Sequence, residues 1–314
     1  MRIATWNIGF ERAGPGLLLR DILTGEDVQV AAAAQVLAGL DADVVLLTGF
    51  DHDAGLAALD AFRDVLAQAG AAYPFRFAAN PNTGLPTGLD IDGNGRLAEA
   101  RDAQGWGRFR GAGGMAILSR LPLDGAAARD FSALLWRDLP DAQLPPDMTA
   151  QDRAVQRLST TAHWDVPVIL PDGFALHLWA WHATPPVFDG PEDRNGGRNH
   201  DEAAFWLAYM DGRLALPPPD RFVLLGDANL DPVRGDGRPA ALLALLADSR
   251  LTDPVGAGDT VSYDPPLGAL RLDYVLPAAN LAVTSGGVFR PERLTGALAA
   301  ASRHWPVWVD LRLP

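Results

Sequence analysis

Acidic and amide side chains follow an apolar run near the middle of this sequence. In residues 222–231, four apolar residues lead through Gly226 to Asp227 and Asn229. Residues two apart in extended backbone point to the same side, so this acid and this amide can face one pocket. Together they suit a phosphate or a metal ion. Asp and Asn are also common in turns, because they bond to their own backbone, and alone the pair favours a turn.

Similar groups recur where other apolar runs end. They are Asn7, Asp51, His182, Asp273 and His304. Each has an ordinary structural explanation by itself, as a turn residue, a buried histidine or a buried ion pair. In layered α/β folds, however, functional sites gather at one edge of the sheets. The whole set therefore predicts one shared site.

Hydrophobic periodicity predicts strands and helices along the whole chain. Strands are expected at 2–6, 44–47, 75–78, 115–118, 164–168, 174–181, 222–225, 270–276, 283–289 and 306–311, and helices at 27–40, 56–69, 201–212 and 238–247. The polar segment 80–113 is too long for an idle connection, which predicts that it is functional or ordered by a metal. No internal repeat or linker divides the chain, so we expect a single domain over residues 1–314, of mixed α/β class.

Composition limits the possible functions. The 314 residues are 48% apolar, enough for a substantial core, and contain no cysteine for disulfides or a cysteine zinc site. The net charge of -13 makes long nucleic acid an improbable partner, whereas the basic residues, all 26 of them Arg, suit small phosphates. No apolar run of about 18 residues predicts a membrane span. No signal-peptide core opens the sequence, so we expect a cytoplasmic protein, or an exported one whose leader is absent.

Six short motifs, in this order, resemble the endonuclease/exonuclease/phosphatase superfamily, which has the DNase-I-like fold. They are Trp6-Asn7, the segment 114–120, His182, Gly226-Asp227-Ala228-Asn229, Leu272-Asp273-Tyr274-Val275 and Ser302-Arg303-His304. Each motif is weak, but six in order are strong, and they cover nearly the whole chain. The resemblance implies a four-layer α/β/β/α sandwich of two mixed sheets flanked by helices. It also implies phosphoester hydrolysis assisted by a divalent metal, Mg²⁺ or Mn²⁺.

The resemblance also implies a role for the matched residues. His304 would be the general base that activates water, and Asp273 would hold its ring in the correct tautomer. His182 and Asn229 would each hold a phosphate oxygen, and Asp227 would position the nucleophile or a metal. This assignment agrees with the chemistry, because a neutral imidazole oriented by a carboxylate is suited to proton transfer near pH 7.

Asn7 would lie among the residues that contact the metal and the phosphate. At two other positions the sequence departs from the family pattern. The family normally has a glutamate ligand where this chain has Gly49, and an aspartate where it has Arg303. Asp51 is a candidate replacement ligand, and Arg303 a candidate phosphate clamp. The alternative is a metal site that is weak, moved or absent.

Two further segments offer charged groups. The loop 184–199 resembles a bacterial branch of the superfamily whose members are often exported and uncharacterised. Its Arg194 and Arg198 are candidate phosphate ligands. The series Asp90, Asp92 and Asn94 resembles the first half of a calcium loop and predicts a structural Ca²⁺ site, although Arg101 stands where such loops carry glutamate. The alternative there is a plain turn.

Three functional classes remain open from the sequence. The first is a phosphodiesterase or phosphomonoesterase acting on a small or exposed substrate, which the acidic charge favours. The second is a nuclease, which needs a basic groove and stacking aromatic residues. The third is a non-catalytic binding relative, which the departures at Gly49 and Arg303 favour. The sequence does not indicate the oligomeric state.

Overall fold

The computed structural model describes residues 1–313, which form strands and helices in similar proportion. Within these residues the strands are β1 (Arg2–Phe10), β2 (Val44–Phe50), β3 (Phe75–Phe77), β4 (Gly114–Ser119), β5 (Arg129–Asp130), β6 (His163–Ile169), β7 (Ala175–His182), β8 (Phe222–Asp227), β9 (Val261–Ser262), β10 (Ala269–Leu270), β11 (Asp273–Pro277), β12 (Ala282–Val288) and β13 (Val307–Arg312). The α-helices are α1 (Leu17–Thr24), α2 (Val28–Leu40), α3 (Ala57–Gln68), α4 (Ala150–Val155), α5 (Arg194–Met210), α6 (Ala240–Ala247) and α7 (Thr295–Ala301).

The strands form two large mixed sheets and one short ribbon. The first sheet has the order β12-β13-β1-β2-β4-β3, and the second has the order β11-β8-β7-β6-β5. In each sheet one central pair is parallel, β1 with β2 and β7 with β8, while the other pairs are antiparallel. Strands β9 and β10 make the ribbon.

Successive side chains of each strand point to opposite faces of its sheet, and this alternation gives the structure four layers. Ile3 and Val44 of the first sheet share a buried core with Leu178 and Val223 of the second, so the two sheets pack face to face. The neighbouring residues on the other face, such as Val45, pack with α1, α2, α3 and α7. The outer face of the second sheet packs with α5 and α6. This period-two division of side chains confirms the predicted α/β/β/α sandwich of two mixed sheets.

The structure corrects several predicted boundaries. Strand β1 continues past residue 6 to Phe10 because Gly9, at φ 64°, lets the strand bulge instead of ending. Helix α5 begins at Arg194, not near 201, although Gly196 and Gly197 lie in its first turn. Glycine weakens a helix interior, which hid this turn from sequence analysis. Both glycines are buried, and a Cβ on Gly197 would lie 2.9 Å from the carbonyl oxygen of Gln143.

Within residues 1–313, no helix combines the length and the apolar character needed to cross a membrane. The predicted strand 270–276 is divided between β10 and β11, and three short helices, α1, α4 and α7, were not predicted. Strands β6 and β7, where strands were expected at 164–168 and 174–181, pair as an antiparallel hairpin.

Candidate active site

Three neighbouring strands of the second sheet place His182, Asp227 and Asp273 in one row. His182 ends β7 and is the register partner of Asp227, which ends β8 and pairs with Asp273 at the start of β11. Gly226 lets β7 and β8 approach here, because any Cβ at this position would collide with the carbonyl oxygen of Trp181. Both carboxylates are fully buried. The sheet register therefore brings two acids and a histidine side by side.

His304 reaches this row from the segment before β13. Its Nδ1 lies 2.8 Å from Oδ2 of Asp273, which also accepts a hydrogen bond from Oγ1 of Thr260 at 2.8 Å. A carboxylate accepts hydrogen bonds, so Nδ1 carries the proton in this pair. In the neutral ring, Nε2 is then left as the atom that can take a proton from another molecule.

Asn7 and Asn229 hold the carboxylate of Asp227. Nδ2 of Asn7 donates to Oδ2 at 2.8 Å, and the backbone N–H of Asn229 donates to Oδ1 at 2.8 Å. The side-chain amide of Asn229 also donates to the carbonyl oxygen of Ala183 at 2.8 Å. Nε2 of His182 lies 3.7 Å from Oδ2 of Asp227. The site thus joins β1 of one sheet to β7 and β8 of the other.

Ser302 and Trp6 fasten the His304 segment to β1. Oγ of Ser302 donates to the carbonyl oxygen of Asn7 at 2.7 Å and accepts from the backbone N–H of His304 at 3.1 Å. Nε1 of Trp6 donates to the carbonyl oxygen of His304 at 2.9 Å. The supporting roles of Ser302 and Thr260 were not predicted from the sequence. Ser302 stands in the quoted motif and could have been found, whereas no local pattern marks Thr260.

Charge coupling shifts the pKa of both members of the His304–Asp273 pair. Burial alone would lower the pKa of His304, but the charge and hydrogen bond of Asp273, together with the charge of Asp227, raise it to about 9. Burial raises the pKa of Asp273, and the charge of Asp227 raises it further, against the opposing effect of His304. Oδ1 of Asp273 is buried without a hydrogen-bond partner among the described residues. The site therefore carries excess negative charge that a cation would offset.

The raised pKa of His304 predicts a pH-dependent stability in metal-free buffer. The folded protein binds this proton more tightly than the unfolded chain, whose histidine pKa is about 6.5. The resulting stabilisation is complete below pH 6.5 and is lost as the pH rises towards 9, a loss on the order of 3 kcal/mol. Thermal melting in EDTA should show that the wild type is less stable at pH 9 than at pH 6, and that this fall in stability is smaller in Asp273→Asn. Equal falls in the two proteins would contradict the assignment.

One known family matches nearly the whole chain. The model of the Endonuclease/Exonuclease/phosphatase family matches residues 4–304, a range that includes every side chain of the row. This chain belongs to the endonuclease/exonuclease/phosphatase family. Among curated proteins, none matches the sequence.

Solved structures of this family share the fold. An endonuclease/exonuclease/phosphatase from Beutenbergia cavernae DSM 12333 aligns with a TM-score of 0.61 and 21% identity, over 100% of this chain and 71% of that chain. A family protein from Leptotrichia buccalis C-1013-b aligns over 100% of both chains, with a TM-score of 0.58 and 16% identity. A mannosyl-6-phosphatase from Bacteroides thetaiotaomicron VPI-5482 also aligns over 100% of both chains, with a TM-score of 0.54 and 16% identity.

The two positions that depart from the family pattern lie at the edge of this site. Gly49 is an extra residue of β2 relative to β4, with φ 67°, and a Cβ there would lie 2.7 Å from Oδ1 of Asn7. Arg303 is exposed beside the buried His304. Its charge acts on Tyr263, whose pKa is raised by burial and by the charges of Asp227 and Asp273. Tyr263, which was not predicted from the sequence, places a half-buried neutral hydroxyl near the carboxylates.

Asp51 has a different environment from the one predicted for a metal ligand. It is 6% exposed, and its two oxygens accept the backbone N–H groups of Arg12 and Gly113, both at 2.8 Å. Burial, opposed by these hydrogen bonds, raises its pKa to about 6. The carboxylate thus joins the loop after β1 to the start of β4. It does not belong to the group formed by Asp227, Asp273 and His304.

The two arginines of the predicted phosphate loop differ in burial and in hydrogen-bond partners. Arg194 is the half-buried first residue of α5, and phosphate binding by it stays a prediction. Arg198 is buried, and its guanidinium donates to four carbonyl oxygens, those of Leu158, Gln104, Arg157 and Ser159. We therefore assign Arg198 to holding these loops together, which replaces its predicted place in phosphate binding.

The predicted calcium loop forms a compact turn on the surface. The carboxylate of Asp90 accepts the backbone N–H groups of Asn94 and Gly95, and Oδ1 of Asn94 accepts that of Arg96. Asp102, which was not predicted, comes close to Asp90 and Asp92. Asp102 is buried and accepts the backbone N–H groups of Ile91 and Glu99. These bonds are those of an ordered turn, and calcium binding there stays a prediction.

Proposed function

We propose that this protein hydrolyses phosphoesters with the help of a divalent metal, acting on a small or exposed substrate. The observation that carries the proposal is the His304–Asp273 pair beside the buried carboxylate of Asp227. A histidine oriented by a carboxylate and open at Nε2 is the arrangement that activates water. The description of the family, which covers nucleases and phosphatases, supports the same reaction class.

The donor set fits Mg²⁺ or Mn²⁺. These ions prefer oxygen ligands, and the site offers the carboxylate of Asp227 and the amide oxygen of Asn7. The buried Oδ1 of Asp273, which lacks a partner among residues 1–313, indicates charge that protein donors do not satisfy. Asp227 and Asn7 would hold the ion. When bound, it would offset the charge of the phosphate and of the developing transition state.

The side chains of the site divide the remaining work. Nε2 of His304 takes a proton from the attacking water, while Asp273 orients the ring and stabilises the imidazolium that forms. His182 and the second amide hydrogen of Asn229 donate to non-bridging phosphate oxygens as negative charge grows. Asp227 also orders Asn7 and Asn229 through the hydrogen bonds described above.

Charge favours a small substrate over long nucleic acid. The net charge of -13 repels a polyanion, and phosphate contacts supply most of the affinity for nucleic acid. A small phosphoester needs only local positive charge, which the exposed Arg303 provides. The mannosyl-6-phosphatase among the structural neighbours lends support to a phosphomonoester, and a diester fits the same site.

A substrate screen tests the proposal. Hydrolysis of p-nitrophenyl phosphate, bis-p-nitrophenyl phosphate and plasmid DNA is measured with Mg²⁺, Mn²⁺ or Ca²⁺, for the wild type and for His304→Ala. We expect metal-dependent hydrolysis of at least one chromogenic ester by the wild type alone. Cleavage of plasmid only would identify a nuclease. Failure on every substrate with every metal would leave a non-catalytic binding protein.

Arg303→Ala is expected to raise KM or to lower kcat/KM through the loss of a phosphate contact. A charge-assisted pair of this kind contributes about 1.5 to 3 kcal/mol, which corresponds to a change of roughly 10- to 150-fold. Arg312→Ala is a matched control, because Arg312 is an exposed arginine at the other end of β13. Kinetics on the preferred chromogenic ester measure both. Identical constants for Arg303→Ala and the wild type would remove Arg303 from the substrate site.

A further inference from the structure

Glu11 places a carboxylate near Asn7, and no group among residues 1–313 bonds to that carboxylate. The hydrogen bond made by Glu11 uses its backbone carbonyl, which accepts from Nη1 of Arg12 at 3.4 Å. Among residues 1–313 no side chain or backbone group donates to its carboxylate. An exposed glutamate usually extends into water, but this one lies against two glycines, Gly49 and Gly113.

The position of the carboxylate follows from those two glycines. A Cβ on Gly113 would lie 2.6 Å from Oε1 of Glu11 and 3.2 Å from its Cγ, so a larger residue would displace the side chain. A Cβ on Gly49 would lie 3.5 Å from Oε1 of Glu11 and 2.7 Å from Oδ1 of Asn7. Both oxygens therefore border the same small space, next to the amide that bonds to Asp227.

This space is where a carboxylate at position 49 would lie. From ordinary bond lengths, a glutamate oxygen sits roughly 3 to 4 Å from its own Cβ. Oε1 of Glu11 is at that separation from the Cβ position of residue 49. A carboxylate oxygen is thus present at the distance expected for a glutamate at position 49, but it comes from the residue that follows the neighbouring strand β1.

The strand register explains how Glu11 gets there. Asn7 of β1 pairs with Thr48 of β2, and Phe10 pairs with Phe50, so β1 contains one extra residue between these pairs. Bulges of this kind re-aim the following side chains and are common beside active sites. The bulge lies just before Glu11.

We propose that Glu11 is a ligand of the divalent metal, in the place of the carboxylate missing at position 49. This inference rests on the proposed function, and Glu11 would add a carboxylate oxygen to the amide oxygen of Asn7 and the carboxylate of Asp227.

Metal titration tests the proposal without measuring activity. Isothermal titration with Mn²⁺ is carried out on the wild type, Glu11→Gln and Glu292→Gln. Glu292 is an exposed glutamate and serves as the control. It lies near the C-terminal end of α2, because Leu294, two residues further on, packs against Gly39 of that helix. We expect Glu11→Gln to weaken Mn²⁺ binding by at least about tenfold, because the charge and number of oxygen ligands set affinity. Glu292→Gln should bind as the wild type does.

The outcomes separate the two proposals. Melting in EDTA should give the same midpoint for all three proteins, since Glu11 makes no side-chain contact that folding needs. Equal Mn²⁺ affinity in Glu11→Gln and the wild type would overturn the role of Glu11 and leave metal-assisted hydrolysis standing. A wild type that binds neither Mn²⁺ nor Mg²⁺ would overturn both. Asp51→Asn provides a further comparison, and loss of binding in that variant alone would assign the ion to Asp51.

Discussion

Replacing His304 with alanine is expected to lower kcat/KM by roughly 10²- to 10⁴-fold, the usual contribution of a positioned general base. Asp273→Asn should cause a similar loss, because an amide cannot hold the ring in the tautomer that leaves Nε2 free. Rates on the preferred chromogenic ester measure both effects. Circular dichroism should show that both variants remain folded.

The chain supplies a matched control for this prediction. His177 and Asp165 form a second histidine–aspartate pair, with Nδ1 and Oδ1 2.6 Å apart, near the opposite end of β7 from His182. Replacing His177 with alanine removes the same kind of pair away from the proposed chemistry and should leave the rate unchanged. Wild-type rates in both His304→Ala and Asp273→Asn would show that the base lies elsewhere.

Asp227→Asn is expected to lower kcat/KM by roughly 10²- to 10³-fold and to weaken metal binding. The substitution removes the negative charge that would face the ion. It also places an amide group where the carboxylate accepts hydrogen bonds from Asn7 and Asn229, so a donor would meet a donor. The dependence of rate on Mn²⁺ concentration measures both effects, and high Mn²⁺ should restore part of the rate.

Asp236→Asn is the control for charge removal, because Asp236 is exposed on the loop that follows β8. It should match the wild type in rate and in Mn²⁺ dependence. If Asp227→Asn keeps the wild-type rate and metal dependence, neither the metal nor the attacking water is positioned by Asp227.

The strands that carry the site were the easiest part of the fold to predict. The apolar runs at 44–47 and 222–225 are each buried on two faces, and both are strands in the structure. Such runs are strong local signals. Boundaries were harder, since α5 begins within a glycine-containing segment and β1 continues through Gly9. In both places, packing with distant residues overrides the local preference.

Several assignments depended on contacts that lie outside any local pattern. Arg198 looked like a free phosphate ligand, yet it is buried and bonds to four carbonyl oxygens. Asp51 looked like a metal ligand, yet its oxygens accept backbone N–H groups from two other segments. The sequence around a buried arginine or aspartate can look the same as the sequence around an exposed one. Only the tertiary contacts of the side chain distinguish the two cases.

The sequence by itself determined most of the strands and the longer helices, the family, and the presence of acids, amides and histidines near strand ends. Those features follow from the period of apolar residues and from short motifs, both of which are local. The tertiary structure shows the contacts through which these groups meet. Asn7 reaches Asp227 across 220 positions, and His304 reaches Asp273 across 31. Such meetings depend on sheet register and on bulges, and a shift of one residue turns a side chain to the opposite face of its sheet.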